Sequence, residues 1–187
     1  MSDLLYEVKD RVATITLNRP DKLNAFTGPM IDAWVGALGE AQGDDNVHVV
    51  VVTGSGRAFC AGGDVGRMGE GAPSPLDHKN QLWEKIHRVP KTLETMDKPV
   101  IAMVNGVAVG AGMGMCLMCD VRVAATDARF STGYVKVGLV PATATRSSCR
   151  GWSAPPRHSS CCGRPTSSRH RRPCALASST ASCPPPS

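Results

Sequence analysis

Two glycine-rich segments of the sequence could present backbone N–H groups to a bound ligand. They are residues 57–64 and residues 105–112. Glycine lets the backbone approach a ligand closely because it carries no side chain. The second segment leads into a predicted helix, whose first turn has unpaired N–H groups and the positive end of the helix dipole. Two N–H donors that converge on one oxygen are what an enolate or another oxyanion requires.

Each glycine-rich segment follows a predominantly apolar run, and the first of the two runs is mostly β-branched. These runs, residues 47–53 and 99–105, are typical of strands buried in a parallel sheet. Neighbouring parallel strands end at the same edge of a sheet, and ligands bind there in α/β proteins. The spacing therefore predicts one ligand site built from both segments. Taken alone, each segment is equally well explained by the tight turns of an α/β domain.

The rest of the pattern predicts the elements around this site. Alternating apolar and polar residues indicate an N-terminal hairpin, and apolar residues at helical spacing indicate the helices. The further predicted strands are residues 4–8, 12–17, 121–125, 128–131 and 135–140, and the predicted helices are 29–42, 76–96 with a break near Pro90, and 113–119. Residues 54–66 and 106–114 are predicted as loops, and 121–125 as a buried strand. The alternation of strands and helices predicts an α/β fold with a parallel sheet.

The composition changes abruptly after Pro141. Residues 1–141 contain 14 basic and 16 acidic side chains, whereas residues 142–187 contain seven Arg and no Asp, Glu or Lys. The second segment also holds eleven Ser, seven Pro and five of the eight Cys. We therefore predict a folded core at 1–141 and a disordered Arg/Ser/Pro/Cys-rich tail at 142–187.

Two explanations of this tail are open, a natural low-complexity segment and a shifted reading frame. If each codon is read from one nucleotide earlier, TCN serine codons become codons for Phe, Leu, Ile or Val. Cysteine codons become codons for Leu, Met or Val. The shifted reading turns a Ser- and Cys-rich tail into an aliphatic one, which favours a frameshift. A natural Arg-rich tail would instead indicate nucleic acid or another acidic partner.

Cysteine usage and hydropathy indicate the cellular setting. The three cysteines of the core, Cys60, Cys116 and Cys119, lie among apolar or small residues, as is typical of a reduced protein. No apolar run is long enough to span a membrane, and we expect no signal peptide before the first strand. The expectation is a cytoplasmic protein with no membrane partner, no metal and no resident cofactor.

Six motifs of the chain together point to a known family: residues 17–20 with 24–25, 58–64, 98–112, 118–120, 128–130 and 138–141. Through these motifs the chain resembles, from residue 4 to residue 141, the enoyl-CoA hydratase/isomerase, or crotonase, family. It implies a crotonase-type ββα spiral core, incomplete at the C-terminus, in a homo-oligomer (trimer or hexamer). It further implies a lyase or isomerase of fatty acid metabolism that binds an acyl-CoA thioester and stabilises its enolate. Coenzyme A is then part of the substrate.

The resemblance also implies which residues form the site. The amides of the oxyanion hole fall on Gly63 and Ala111. The acyl-CoA is expected to lie along Ala25, Ala61, Gly62, Gly63, Asp64, Val65, Gly66 and Ala111. The cations Lys22, Arg57 and Arg67 are candidate partners of the CoA phosphates, although a solvated surface charge explains each of them better.

Two positions depart from the hydratases of the family. These enzymes carry one glutamate in the helix after the second glycine-rich segment and another shortly after the Ala-x-Phe motif. The positions are Gly114 and Tyr134 here. Hydration needs an acid and a base, and tyrosine, with a pKa near 10, is a poor base. Three functions stay open: a family enzyme impaired in hydration, with Tyr134 as a candidate catalytic residue; a catalytically silent acyl-CoA binder; and a nucleic-acid-binding module that uses the tail.

Several other residues with reactive or charged side chains are predicted to be structural. A core stripe is expected at Met113, Met115, Cys116, Met118 and Cys119. Asp64 is expected to anchor its loop, and Asp120 is expected to anchor the strand that follows it, rather than to act as bases.

Overall fold

The computed structural model describes residues 2–64, 66, 74–134 and 138. The strands of these residues are β1 (Leu4–Lys9), β2 (Val12–Leu17), β3 (Val49–Gly54), β4 (Ala58–Cys60), β5 (Val100–Val104), β6 (Val107–Val109), β7 (Val121–Ala124) and β8 (Arg129–Ser131). The helices are α1 (Gly28–Gly43), α2 (Pro75–Gln81), α3 (Arg88–Glu94) and α4 (Ala111–Met118), with a 3₁₀ helix at Pro20–Lys22 and a π-helix at Leu82–Ile86. Nearly all of the predicted strand at 135–140, and the whole tail at 142–187, lie outside the described residues.

A five-stranded sheet in the order β1-β2-β3-β5-β7 forms the larger layer. The first two strands are the antiparallel hairpin that the alternating pattern predicts, and the others pair in parallel. The hairpin turns at Asp10 and Arg11, which both have positive φ angles. Such a two-residue turn matches the right-handed twist of the flanking strands. The predicted hairpin and parallel sheet are confirmed.

A second, three-stranded parallel sheet in the order β4-β6-β8 was only partly predicted. Its strand β8 agrees with the predicted extended segment at 128–131. Strands β4 and β6, however, lie inside segments 54–66 and 106–114, which were wrongly predicted as loops. Each is only three residues long, so neither shows the alternation over four to eight residues that identifies a strand.

Helix α1 supplies the largest part of the core. Thr27 caps its N-terminus by accepting a hydrogen bond from the Met30 amide, at 3.4 Å. Its apolar stripe, which includes the fully buried Trp34, packs with residues of the five-stranded sheet in one core cluster. Among the described residues, no helix combines the length and the apolar character needed to cross a membrane.

The predicted helix at 76–96 is interrupted, but not at Pro90, near which the break was predicted. The interruption comes at His87, between the π-helix and α3. Pro90 lies in the first turn of α3. The missing N–H of proline removes no helical hydrogen bond there, because the N–H groups of a first turn have no intrahelical partner.

Strand β7 ends the five-stranded sheet and is not the buried strand that its apolar sequence predicts. Val121 and Val123 are 38% and 56% exposed. Met103 of β5 pairs with Val123 and is also exposed. A continuous apolar run indicates burial only when both faces of the sheet are covered. In the described part of the chain, this end of the sheet is covered on one face.

Candidate functional site

Strands β3 and β5 carry the two glycine-rich segments to the same edge of the molecule. These strands are parallel neighbours in the larger sheet, with Val50 opposite Val100. After a short turn, each of the two segments continues into the smaller sheet. There β4 and β6 are again parallel neighbours, with Cys60 opposite Ala108. The two segments therefore lie side by side, as the sequence predicts, and they also pair as strands of the smaller sheet, which it does not predict.

Beyond the smaller sheet the two segments touch through their backbones. A Cβ atom built on Gly62 would lie 3.4 Å from the Ala111 nitrogen and 3.0 Å from the Val109 oxygen. A Cβ atom on Gly112 would lie only 2.3 Å from the Cys60 oxygen. Gly62 also has a φ of 94°, a left-handed conformation that favours glycine. Glycine at these positions is what allows the close approach.

The amides of Gly63 and Ala111 are both available at this contact. Phe26 forms a parallel β-bridge with Gly63, but its backbone hydrogen bonds are made with the residues on either side of Gly63. The Phe26 N–H donates to the Gly62 oxygen at 2.9 Å, and the Asp64 N–H donates to the Phe26 oxygen at 3.2 Å. Ala111 is the first residue of α4. Neither the Gly63 nor the Ala111 N–H donates to another described residue. Within the described part of the chain, the site thus has two N–H groups without an acceptor, one of them at a helix N-terminus.

Asn24 ties the first segment to the turn after β2. Its side chain is fully buried and donates to the Ser55 oxygen at 2.9 Å and to the Ala58 oxygen at 2.7 Å. Its Oδ1 accepts from the Arg19 amide at 2.9 Å. Sequence reasoning recognised Asn24 only as part of a motif. Its type and its place in a turn were a usable signal, since asparagine tolerates the left-handed backbone (φ 56°) found here.

Asp64 acts as a loop anchor in an ion pair with Arg19, in agreement with the expectation. An Arg19 amino nitrogen lies 3.1 Å from Asp64 Oδ2, and the other donates to the Ala25 oxygen at 2.5 Å. The hydrogen bond from Arg19 lowers the pKa of the Asp64 carboxyl. A carboxylate with a lowered pKa is a weak proton acceptor, so the position serves structure better than base catalysis.

This chain is similar to known proteins in both its sequence and its structure. The family model for enoyl-CoA hydratase/isomerase matches residues 7–150. The chain belongs to the enoyl-CoA hydratase/isomerase family. A Mycobacterium tuberculosis protein named "Probable enoyl-CoA hydratase EchA14" is 42% identical over 139 residues, which are 74% of this chain and 53% of that protein. The 2,3-dehydroadipyl-CoA hydratase of Escherichia coli is 38% identical over 143 residues, 75% of this chain and 53% of that protein.

Solved structures agree with the sequence comparison. An enoyl-CoA hydratase from Geobacillus kaustophilus superposes with a TM-score of 0.76 at 32% identity, over 86% of this chain and 61% of that one. One from Polaromonas sp. JS666 gives a TM-score of 0.76 at 30% identity, over 85% and 62%. The predicted crotonase-type fold is confirmed. The chain spans about half the length of the curated relatives it matches.

The two positions at which hydratases of this family were expected to carry glutamate border the second segment. Gly114 is buried in α4, where its amide donates to the Gly110 oxygen at 3.0 Å. Tyr134 is 7% exposed and follows β8, whose Ser131 oxygen accepts from the Gly110 amide at 2.9 Å. Helix α4 contains no acidic residue. Neither position therefore supplies a carboxylate to the candidate site.

The other predicted site residues lie around the first segment. Ala25 is buried and Ala61 and Asp64 are partly exposed, whereas Gly66 is exposed and its amide donates to Asp64 Oδ1. Lys22 and Arg57 are exposed, which suits either a solvated charge or a phosphate partner. Val65 and Arg67 lie outside the described residues. None of the described His, Cys, Asp and Glu side chains form a group of three that could hold a metal ion.

The predicted core stripe and the Asp120 anchor are present in the structure. Met113, Met115, Cys116 and Cys119 are buried, and Met118 is partly buried against the same core. Burial raises the pKa of the Cys116 thiol to about 12. The Asp120 side chain accepts from the Val100 amide at 2.8 Å, so the strand that it anchors is β5 rather than the following β7.

Proposed function

We propose that this chain binds an acyl-CoA thioester with the thioester oxygen between the N–H groups of Gly63 and Ala111. The supporting observation is the contact between the two segments, in which a Gly62 Cβ would lie 3.4 Å from the Ala111 nitrogen. Both amides next to this contact donate to no other described residue. Two fixed donors match the carbonyl of a thioester, whose oxygen becomes more negative as an enolate forms.

The same donors make the stabilisation of a thioester enolate the proposed chemistry. A donor that is held in place before the reaction costs no reorganisation as charge develops on the oxygen. Loss of one such donor typically lowers the rate by about 10²–10³-fold. Coenzyme A enters as part of the substrate, so we assign the chain no separate cofactor.

A catalytically silent acyl-CoA binder is the second candidate function, because Gly114 and Tyr134 supply no carboxylate. General acid and base groups each contribute about 10²–10⁴-fold to a rate. We therefore expect hydration of crotonyl-CoA far below the rate of a family hydratase with both glutamates. Stabilisation of an enolate without hydration is still compatible with the two amides.

Calorimetric titration with butanoyl-CoA, followed by a spectrophotometric assay of crotonyl-CoA hydration, tests both candidates. Binding without hydration favours the silent binder or a reaction other than hydration. Binding with hydration at a normal family rate contradicts the role given to the missing carboxylates. Absence of butanoyl-CoA binding contradicts the proposed function itself. Gly63→Pro removes one donor and should weaken the binding by about fivefold, the effect of one hydrogen bond.

We propose that this activity takes place in the cytoplasm and that the protein is a homo-oligomer. The three described cysteines are free and buried, which suits a reducing compartment. The exposed Met103, Val121 and Val123 on one face of the larger sheet support self-association. Sedimentation velocity of the full chain measures the assembly directly, and a monomer at all concentrations contradicts it.

The tail at 142–187 is proposed to be out of frame with the core. Its abrupt change of composition supports this, since it holds seven Arg but no Asp, Glu or Lys. Resequencing of the gene across the codons for residues 138–146 tests the proposal. An unbroken frame at these codons, together with salt-dependent binding of the full chain to nucleic acid, would instead favour a genuine basic tail.

A further inference from the structure

The thiol of Cys60 makes two hydrogen bonds inside the candidate site. Its S–H donates to the Asn24 carbonyl oxygen at 3.2 Å, and its Sγ accepts from the Gly62 N–H at 3.4 Å. Cys60 has no exposed surface. Burial raises the pKa of the Cys60 thiol to about 12. The group therefore stays protonated at neutral pH and keeps the hydrogen that it donates.

These bonds matter because they fix a peptide group next to a donor of the site. The N–H of Gly62 is held by Cys60, and the C=O of Gly62 is held by the Phe26 amide at 2.9 Å. In a trans peptide, the N–H of Gly63 points away from the C=O of Gly62. The direction of the Gly63 N–H thus depends on the two bonds that hold Gly62. Glycine, with its broad conformational freedom, would not hold this direction by itself.

Cys60 also lies against the second glycine-rich segment. A Cβ atom on Gly112 would lie 2.3 Å from the Cys60 oxygen and 2.8 Å from the Cys60 Cβ. Gly112 directly follows Ala111, the other donor of the site. One buried residue therefore contacts the Asn24 turn, the Gly62 turn and the start of α4.

We propose that Cys60 is a positioning residue of the thioester site, whose thiol orients the Gly63 N–H by linking Gly62 to the Asn24 turn. The proposal rests on the proposed function, since it assigns the Gly63 N–H to the thioester oxygen. In the proposed thioester complex, Cys60 itself touches no reacting atom. Its contribution is the direction and rigidity of one donor.

Three variants separate this role from simple core packing. Cys60→Ala removes both hydrogen bonds, whereas Cys60→Ser keeps a group that can donate and accept. Cys116→Ala is the matched control, because it removes another buried thiol that lies in the core stripe of α4. The melting temperature of each variant shows how much stability the protein loses when a buried thiol is removed.

The decisive readout is the infrared carbonyl band of butanoyl-CoA labelled with ¹³C at its thioester carbon. Hydrogen bonding to a carbonyl oxygen lowers this band, so bound ligand should absorb below free ligand. We expect Cys60→Ala to lose at least half of this shift and to bind about fivefold more weakly, the effect of one hydrogen bond. Cys60→Ser should restore most of the shift, and Cys116→Ala should leave it unchanged.

A Cys60→Ala variant that melts no higher than Cys116→Ala yet shows the wild-type carbonyl shift would overturn the positioning role. A wild-type protein that binds the ligand without any shift, or does not bind it, overturns the proposed function as well, which distinguishes the two failures. Amide hydrogen exchange of the ligand-free wild type needs no variant. The Gly62 N–H should be protected from exchange, and exchange at the rate of an open loop would contradict the proposal.

Discussion

The two glycine-rich segments provide one donor each, but they are held in place by different interactions. The first segment is held by side chains that reach it from the 19–26 turn and by a thiol of its own. The second is held at its start by the side chain of Asn105. Beyond Asn105 it is held by direct contact between backbones at positions where no Cβ fits. Side-chain bonds can be weakened one at a time, whereas a backbone contact tolerates no added atom. The two halves of the site should therefore respond differently to substitution.

Side-chain bonds dominate the first half. Asn24 joins the Arg19 amide to the oxygens of Ser55 and Ala58, and it is fully buried. The ion pair between Arg19 and Asp64 lies at the partly exposed end of the same turn. The solvent exposure of the bonded side chains thus increases from Asn24 in the interior to the Arg19–Asp64 ion pair near the surface.

Backbone contacts dominate the second half. Cβ atoms on Gly106 and Gly112 would lie 2.2 Å from the Arg57 oxygen and 2.3 Å from the Cys60 oxygen. Real Cβ atoms do not approach a backbone oxygen this closely, so a substitution must move the main chain. The N-terminus of α4, and with it the Ala111 amide, depends on this contact.

The largest effect is expected for Gly112→Ala. Because the added methyl group meets backbone and not a flexible side chain, we expect the free energy of unfolding to fall by at least about 3 kcal/mol. Urea denaturation measures this change. The control is Gly39→Ala in α1, where no atom lies within 4 Å of the added Cβ. It should raise stability by about 0.5–1 kcal/mol, since alanine favours a helix over glycine. Equal effects of the two substitutions would remove the contrast between the halves.

An intermediate effect is expected for Asn24→Ala. The substitution leaves the partly buried Arg19 amide and the buried Ala58 oxygen short of a partner, and each unsatisfied buried group costs about 1–3 kcal/mol. Partial compensation by Asn105, which also donates to the Ala58 oxygen at 3.2 Å, reduces the expected loss to about 2 kcal/mol. The same denaturation experiment measures it. Asn46→Ala, at an exposed turn, is the control and should change stability little. A loss as large as that of Gly112→Ala would show that both halves are equally intolerant.

The smallest effect is expected for Asp64→Asn, and it should depend on pH. A partly exposed ion pair contributes about 1 kcal/mol or less. Because Arg19 lowers the pKa of Asp64 in the folded state, this contribution is present above the unfolded carboxyl pKa of about 3.9. It is lost as the pH falls through the lower folded value. The stability difference from wild type, followed by thermal melting from pH 7 to pH 3, should therefore close on acidification. The exposed Asp45→Asn serves as control, and a difference that grows towards pH 3 would contradict the assignment.

The contrast between the halves also explains how far the sequence alone could lead. Strands β3 and β5 were predictable because their apolar runs are long enough to identify them as strands, although the exposed Met103 shows that β5 is not buried along its whole length. The glycines showed where backbones come close. Strands β4 and β6 were missed because a strand of three residues is too short to show a period. The exposure of β7 was missed because its sequence does not show that it ends the sheet.

The polar support of the first segment was harder to predict. Asn24 and Cys60 are separated by 36 residues, and no local pattern shows that they touch. Arg19 and Asp64 were both part of recognised motifs, but their ion pair spans 45 residues. Long-range hydrogen bonds of this kind depend on the folded topology, and only the structure reveals them.

The most direct test of the account compares two ligands that differ in one oxygen. Butanoyl-CoA has a thioester carbonyl, whereas S-butyl-CoA has the same chain on the same coenzyme without that oxygen. If the Gly63 and Ala111 amides bind the oxygen, calorimetric titration of the wild-type chain should give at least about tenfold tighter binding of the thioester, the effect of two hydrogen bonds. Equal dissociation constants for the two ligands would show that the two amides do not bind the thioester oxygen.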